Sequence, residues 1–279
     1  PSPMFWACRS SRGCGTAGWG EWWSWLDGGR SGWGLVVRGI IVTGAALGFG
    51  EASARAFADV GALVCAVDVN EEKLEAVVAT LPGGPHQVVG LDLNDLGAHA
   101  RVVTRAGEQL GSVHGIVLSA GVLRRRPFDE IDEDDWDWQL DTNLKSTFFL
   151  ARTAGRHMQE HGTRGSICTM TSLSGTTGGP SSIPVYASSK GGIISLTYAM
   201  ARHYGPLGIR VNSIAPGIVD TPMQRAGFSA ATQEFLESTP MGRQATPEEI
   251  AAVAVFLASA HASYVTGAIV NLTGGAWMG

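Results

Sequence analysis

From residue 39 to the C-terminus, short β-rich apolar runs alternate with stretches of helical periodicity, and no other feature restricts the possible folds as sharply. Strands are predicted at 39–43, 63–67, 88–91, 115–118, 166–170, 210–214 and 268–272. Most are continuous apolar runs without polar alternation, the pattern of strands covered on both faces, as in a parallel sheet. Between the strands, residues 50–60 place Ala52, Ala56, Phe57 and Val60 on one stripe, and 71–81, 132–161, 185–204 and 247–259 also read as helices. Strand alternating with helix calls for βαβ crossovers, hence an α/β fold with a doubly wound parallel sheet in three α/β/α layers. With no internal repeat or low-complexity linker, residues 35–279 are expected to form a single domain. The stretch 218–245 carries Pro222, Gly227, Pro240 and Gly242 without clear periodicity. It follows a strand and is expected to act as a substrate lid at the carboxyl edge of the sheet, where open α/β folds bind ligands.

Composition narrows the function classes. The 279 residues carry a net charge of −5, and the only dense basic run is Arg124-Arg125-Arg126, which argues against a nucleic-acid partner. That run reads as a solvated charge face, with contact to an anionic substrate group as the alternative. No apolar stretch approaches the ~20 residues of a bilayer span, so no membrane partner is expected. Cys8, Cys14, Cys65 and Cys168 show no metal-ligand spacing, and Cys65 and Cys168 sit in apolar runs as expected buried thiols. A cytoplasmic protein without a metal is the expectation. Residues 1–34 differ from the rest, holding six of the nine tryptophans. Trp19, Trp22, Trp23 and Leu26 have the spacing of a helix face, but glycines at 13, 15, 18, 20, 28 and 29 disfavour a stable helix. A disordered or artefactual extension, dispensable for the fold, is expected there.

The first strand runs into a helix through Thr43-Gly44-Ala45-Ala46-Leu47-Gly48-Phe49-Gly50. Glycines at such a place let backbone approach a pyrophosphate, and the helix N-terminus offers free N–H groups and a positive dipole end. A tight βα turn is the rival reading of the glycines by themselves. The second strand ends at Asp68, where a carboxylate can accept hydrogen bonds from ribose hydroxyls and repel a 2′-phosphate. Leu47, Val69 and Asn70 supply no cation for such a phosphate, so NAD is favoured over NADP. Asp92, after the third strand, is placed to meet an adenine amino group, or is a solvated loop carboxylate.

Tyr186 and Lys190 lie four apart, on one face of a helix. Tyrosine titrates near pH 10, and a neighbouring ammonium is expected to lower that value towards a useful acid/base. Ser172 follows the strand at 166–170 and can orient a reacting oxygen, Asn143 lies on the preceding long helix, and Pro216-Gly217 closes another strand ahead of Val219 and Thr221.

With these motifs, residues 39–279 resemble the short-chain dehydrogenase/reductase family in its shorter single-domain form. The resemblance implies a Rossmann fold and an NAD(H)-dependent oxidoreductase acting on a secondary alcohol or ketone. It implies a catalytic tetrad of Asn143, Ser172, Tyr186 and Lys190. Tyr186 is the acid/base, Ser172 polarises the substrate oxygen, Lys190 binds the nicotinamide ribose and tunes Tyr186, and Asn143 supports a proton relay through water. The cofactor-binding set it implies is Gly44, Gly48, Phe49, Gly50, Asp68, Asp92, Leu93, Ala120, Gly121, Tyr186, Lys190, Pro216, Gly217, Val219 and Thr221. Where the family has Asn-Asn-Ala-Gly this chain has Leu118-Ser119-Ala120-Gly121, which is expected to weaken the central sheet without loss of chemistry. Residues 121–128, 173–185 and 218–245 are the expected substrate lining, with Leu123, Phe128, Ile183, Phe228 and Phe235 as its apolar members. A homotetramer is expected. The rivals are a non-catalytic NAD-binding sensor or scaffold, and an epimerase or dehydratase that also uses Tyr and Lys four apart.

Overall fold

In a computed structural model, residues 38–279 are described; the expectations for residues 1–34 lie outside the described residues. Seven strands, β1 (Gly39–Thr43), β2 (Leu63–Asp68), β3 (Gln87–Gly90), β4 (Gly115–Leu118), β5 (Ser166–Met170), β6 (Arg210–Pro216) and β7 (Ile269–Leu272), form one sheet in the order β3-β2-β1-β4-β5-β6-β7. Every pairing is parallel. The main covering helices are α1 (Gly48–Asp59), α2 (Glu71–Val78), α3 (His99–Leu110), α4 (Glu133–Leu140), α5 (Ser146–Glu160) and α7 (Pro184–Tyr204). Shorter pieces are α6 (Leu173–Thr177), α8 (Pro222–Arg225) and α9 (Ala230–Ser238), and α10 (Pro247–Ala258) completes the set.

The continuous apolar strands have the predicted cause. All five residues of β1 are buried. Ile40 and Val42 point into one core, with Phe57 of α1, Leu74 of α2 and Leu257 of α10. Ile41 points into the other, with Val103 of α3, Leu150 of α5 and Met200 of α7. Successive side chains of a strand face opposite ways, so a strand with helices on both sides has no solvent-facing side, and its few polar residues, such as Thr43, are buried too. Local caps fix the helix starts. Thr246 and Glu249 form a reciprocal capping box on α10, and Asn70 caps α2. Cys65 and Cys168 are free and buried, and burial pushes both thiols up to about 12. Among the described residues no helix is long and apolar enough to cross a membrane.

Two expectations are corrected. The helix expected over 132–161 is broken into α4 and α5 by a π-helical turn, Asp141–Lys145. Such a turn holds one residue more than an α turn and commonly marks a functional position. Here it carries the fully buried Asn143. The stretch 218–245 is not structureless, since α8 and α9 lie within it, capped by Thr221 and Ser229. Its ends are joined by a parallel bridge between Val219 and Ala245.

Candidate active site

The strand order reverses between β1 and β4, whose carboxyl ends lie side by side, the position where doubly wound sheets bind ligands. On the β1 side, Gly44 and Gly48 have φ of +67° and +60°, a region that favours glycine. A methyl group at Gly50 would lie 2.0 Å from the Gly44 carbonyl oxygen, so α1 starts directly against the turn. The N-cap of α1, Leu47, gives no side-chain hydrogen bond, which leaves the first-turn N–H groups without a protein cap. Glu51, in that first turn, is drawn aside by Arg55 at 2.9 Å. Shape and donors therefore fit an anionic pyrophosphate. Phe49 turns its ring into the core beneath α1.

Asp68 ends β2 half-buried beside this turn. Its Oδ2 accepts from the Ala46 N–H at 3.1 Å and its Oδ1 from the Asn70 N–H at 2.9 Å. Asp92 is exposed two residues beyond β3, accepting from the Asn94 N–H at 2.9 Å, while Leu93 is half-buried and its carbonyl meets His99 Nε2. On the β4 side, Ser119 donates to the Thr43 carbonyl, and Thr43 Oγ1 accepts from the Ala120 N–H at 3.2 Å. The serine thus ties β1 to β4 at the point where the family carries asparagine. Pro216 and Gly217 close β6, and the Gly217 N–H donates to Leu272 at 3.0 Å. Buried Val219 and Thr221 follow, and a methyl group at Gly48 would stand 3.6 Å from Thr221 Cγ2, which sets this segment across the glycine turn.

Tyr186 and Lys190 project from one face of α7, with Lys190 Nζ 5.7 Å from the phenol ring centre. Lys190 is 4% exposed and donates to the Met170 carbonyl at 2.8 Å. Burial lowers it to about 8. Ser172, two residues beyond β5, stands at the Tyr186 phenol, which it pulls down, and caps α6 by accepting from the Ser174 N–H at 3.1 Å. Ser172, not Ser174, is therefore the hydroxyl at the tyrosine. Asn143 Nδ2 donates to the Val122 carbonyl at 2.9 Å and to Ser189 Oγ at 3.1 Å, and its Oδ1 accepts from the Val122 N–H at 2.7 Å. A methyl group at Gly121 would come 3.2 Å from Asn143 Oδ1 and 3.5 Å from Lys190 Nζ. The four side chains thus gather at the carboxyl ends of β4 and β5.

One expectation fails. Tyr186 is raised above its ordinary value, because burial outweighs the hydrogen bond from Ser172 and the charge of Arg125, both of which pull it down. The apolar substrate lining is also smaller than expected. A cleft of about 490 Å³ lies between residues 121–125, Trp138, Met223 of α8 and Ala226 just after it, and of the expected set only Leu123 lines it. Phe235 faces a separate cavity of about 350 Å³ with Leu236 and Trp277. Phe128 and Phe228 are exposed, and Ile183 is buried. Sequence reasoning missed Ser189, Thr43 and Asp135. The first two are small hydroxyls with no pattern of their own, and Asp135 is an acid among many in 129–137.

These features describe a dinucleotide-type α/β fold with a half-buried Tyr186, a buried Lys190 and nearby Ser and Asn at its carboxyl edge. A family model described as enoyl-(acyl carrier protein) reductase matches residues 44–276. The chain is 35% identical over 237 residues to the 3-oxoacyl-[acyl-carrier-protein] reductase of Thermotoga maritima, covering 84% of this chain and 96% of that one. It is equally identical to the meso-2,3-butanediol dehydrogenase of Serratia marcescens, covering 85% of this chain and 93% of that one. Among solved structures, a candidate 2-deoxy-D-gluconate 3-dehydrogenase of Agrobacterium tumefaciens with bound NADP superposes with a TM-score of 0.79 at 36% identity, covering 86% and 96% of the two chains. The chain belongs to the short-chain dehydrogenase/reductase family, single-domain oxidoreductases that bind a nicotinamide cofactor.

Proposed function

We propose that the protein is an NAD(H)-dependent oxidoreductase that interconverts a secondary alcohol and its ketone. The observation that carries this reading is the meeting of Tyr186, Ser172, Lys190 and Asn143 at one end of the sheet, beside a glycine turn shaped for a pyrophosphate. The nicotinamide ring supplies or accepts the hydride. Tyr186 Oη gives its proton to the ketone oxygen in reduction and takes the alcohol proton in oxidation. The Ser172 hydroxyl holds that same oxygen against the phenol. Lys190 Nζ, fixed by the Met170 carbonyl, offers its remaining hydrogens to a ribose and to the proton path. Asn143 fixes the Val122 backbone from both sides, which sets the loop beside the reacting centre and supports a relay through water.

Cofactor choice rests on Asp68. Its carboxylate faces the turn and opposes a 2′-phosphate, and Leu47 provides no compensating cation. A sensor or scaffold role is disfavoured by the complete acid/base set, and an epimerase or dehydratase by the glycine spacing. Replacing Tyr186→Phe removes the proton donor but not the ring. Turnover on an alcohol panel, read by NADH absorbance, should fall about 10²–10⁴-fold while NAD still binds. Full turnover by that variant would sink the assignment.

A further inference from the structure

The run Arg124-Arg125-Arg126 is not uniform in the folded protein. Arg124 and Arg126 both reach Asp135, at 2.5 and 3.2 Å, and Asp135 is 1% exposed. Their guanidinium groups hold that carboxyl below the ordinary range. Arg124 also lies over the Trp138 ring at 4.5 Å. The backbone is fixed on each side of the middle residue, since the Arg124 N–H donates to Gln139 Oε1 and the Arg126 N–H to the Ser182 carbonyl. Arg125 lies between these two fixed points and does not share Asp135. With its two neighbours on Asp135, Arg125 is directed towards the lid and the phenol.

Three observations place it there. Its charge acts on the Tyr186 hydroxyl. It lines the 490 Å³ cleft together with Gly121, where an added methyl group would stand close to Asn143 and Lys190. Its guanidinium lies against the lid at Gly227, where an added methyl group would stand 2.3 Å from Arg125 Cζ. Arg125 makes no hydrogen bond or ion pair with any described residue, and no carboxylate lines the cleft. The acid that would neutralise a third arginine is already shared by two. Arg125 is exposed at the rim of this cleft, and a planar guanidinium left there without a partner is suited to a carboxylate or phosphate, which it can hold by paired hydrogen bonds.

We propose that Arg125 is a substrate-recognition residue and that the substrate carries an anionic group, a carboxylate or a phosphate, beside its reacting alcohol or ketone. This rests on the proposed hydride-transfer function and names its substrate class. Bound in the cleft with its carbonyl at Tyr186, such a molecule would direct its anionic end outward under the lid. Gly227 is then a positioning residue, because only the absence of a side chain lets the guanidinium lie there.

The test compares three substrate pairs on wild type, Arg125→Ala, Arg125→Lys and Gly227→Ala. The pairs are 3-hydroxybutyrate with 1,3-butanediol, gluconate with glucitol, and glycerol 3-phosphate with glycerol. NADH formation is measured, and the same compounds are titrated calorimetrically into the NADH-loaded protein. Wild type should favour the anionic member of at least one pair by about tenfold or more in kcat/KM. The first two pairs against the third separate carboxylate from phosphate. Arg125→Ala should remove that preference, Arg125→Lys should keep part of it, and Gly227→Ala should reduce it mainly through KM. Equal use of both members of every pair by wild type, or a preference that survives Arg125→Ala, overturns the proposal and leaves hydride transfer standing. No turnover of any compound, together with anion binding that is lost in Arg125→Ala, overturns hydride transfer and upholds the anion site. Neither turnover nor anion binding overturns both.

Discussion

Burying a lysine ammonium is unfavourable, and Lys190 is held almost out of water with the Met170 carbonyl as its hydrogen-bond acceptor. Its value in the folded protein, about 8, lies below the ordinary 10.5. Between those two pH values the unfolded chain binds more protons than the folded one, so stability from this group rises with pH across about 8 to 10.5. Below about 8 the side chain is charged in both states and the burial penalty is fully felt, on the order of 3 kcal/mol at ~1.4 kcal/mol per pH unit. Tyr186, raised from 10.0, acts in the opposite sense above pH 10, where the unfolded chain loses its phenol proton first. The prediction is that the melting temperature of Lys190→Met minus that of wild type is nearly level from pH 7 to about 8 and falls from there to pH 10, without cofactor. A difference that stays level would mean the ammonium is solvated. The residue-scale conflict also explains the raised tyrosine. In the protein alone burial outweighs the pull of Ser172 and of the Arg125 charge, and the phenol stays above its ordinary value.

At the scale of elements, the turn between β1 and α1 and the end of β2 act as one unit, because Asp68 accepts from the Ala46 N–H inside the turn. Removing the carboxylate frees that N–H and the space in front of it for a 2′-phosphate. Asp68→Ser should shift the ratio of kcat/KM for NAD over NADP by about tenfold or more towards NADP, measured with one alcohol and both cofactors. An unchanged ratio would remove Asp68 from cofactor choice. The turn and this acid were legible in the sequence because strand, glycines, helix and second strand follow in fixed order, and strands covered on both faces read as mostly apolar runs. The interruption of 132–161 was not, since nothing in Asp141-Thr142-Asn143-Leu144-Lys145 breaks helical periodicity. The π turn is stabilised from outside the helix, by the Val122 backbone that Asn143 grips. The same limit hid the role of Arg125. Three adjacent arginines look alike in sequence, and only the buried Asp135 distinguishes the outer two from the middle one.

The whole molecule keeps apolar surface that its two cores do not use. On the sheet face covered by α3, α5 and α7, Phe148 is 38% exposed on α5 and Tyr198 is 43% exposed on α7. Trp136 and Trp138 of α4 are also exposed, although Trp138 is partly screened by Arg124. Aromatic side chains contribute most when buried, and large rings on neighbouring long helices are typical of subunit contacts. We expect a homo-oligomer, a tetramer by the family resemblance, with α5 and α7 in a subunit interface. Light scattering on the full chain should give a mass several times the 29.2 kDa of one subunit. The pair Phe148→Glu and Tyr198→Glu should shift it to a smaller species, because a charge placed in such a contact loses water without gaining a partner. Neither residue lines the 490 Å³ cleft, so hydride transfer in the dissociated protein reports whether one subunit holds a complete site. A monomeric wild type would overturn this expectation, and an oligomer that survives both substitutions would move the interface to another face.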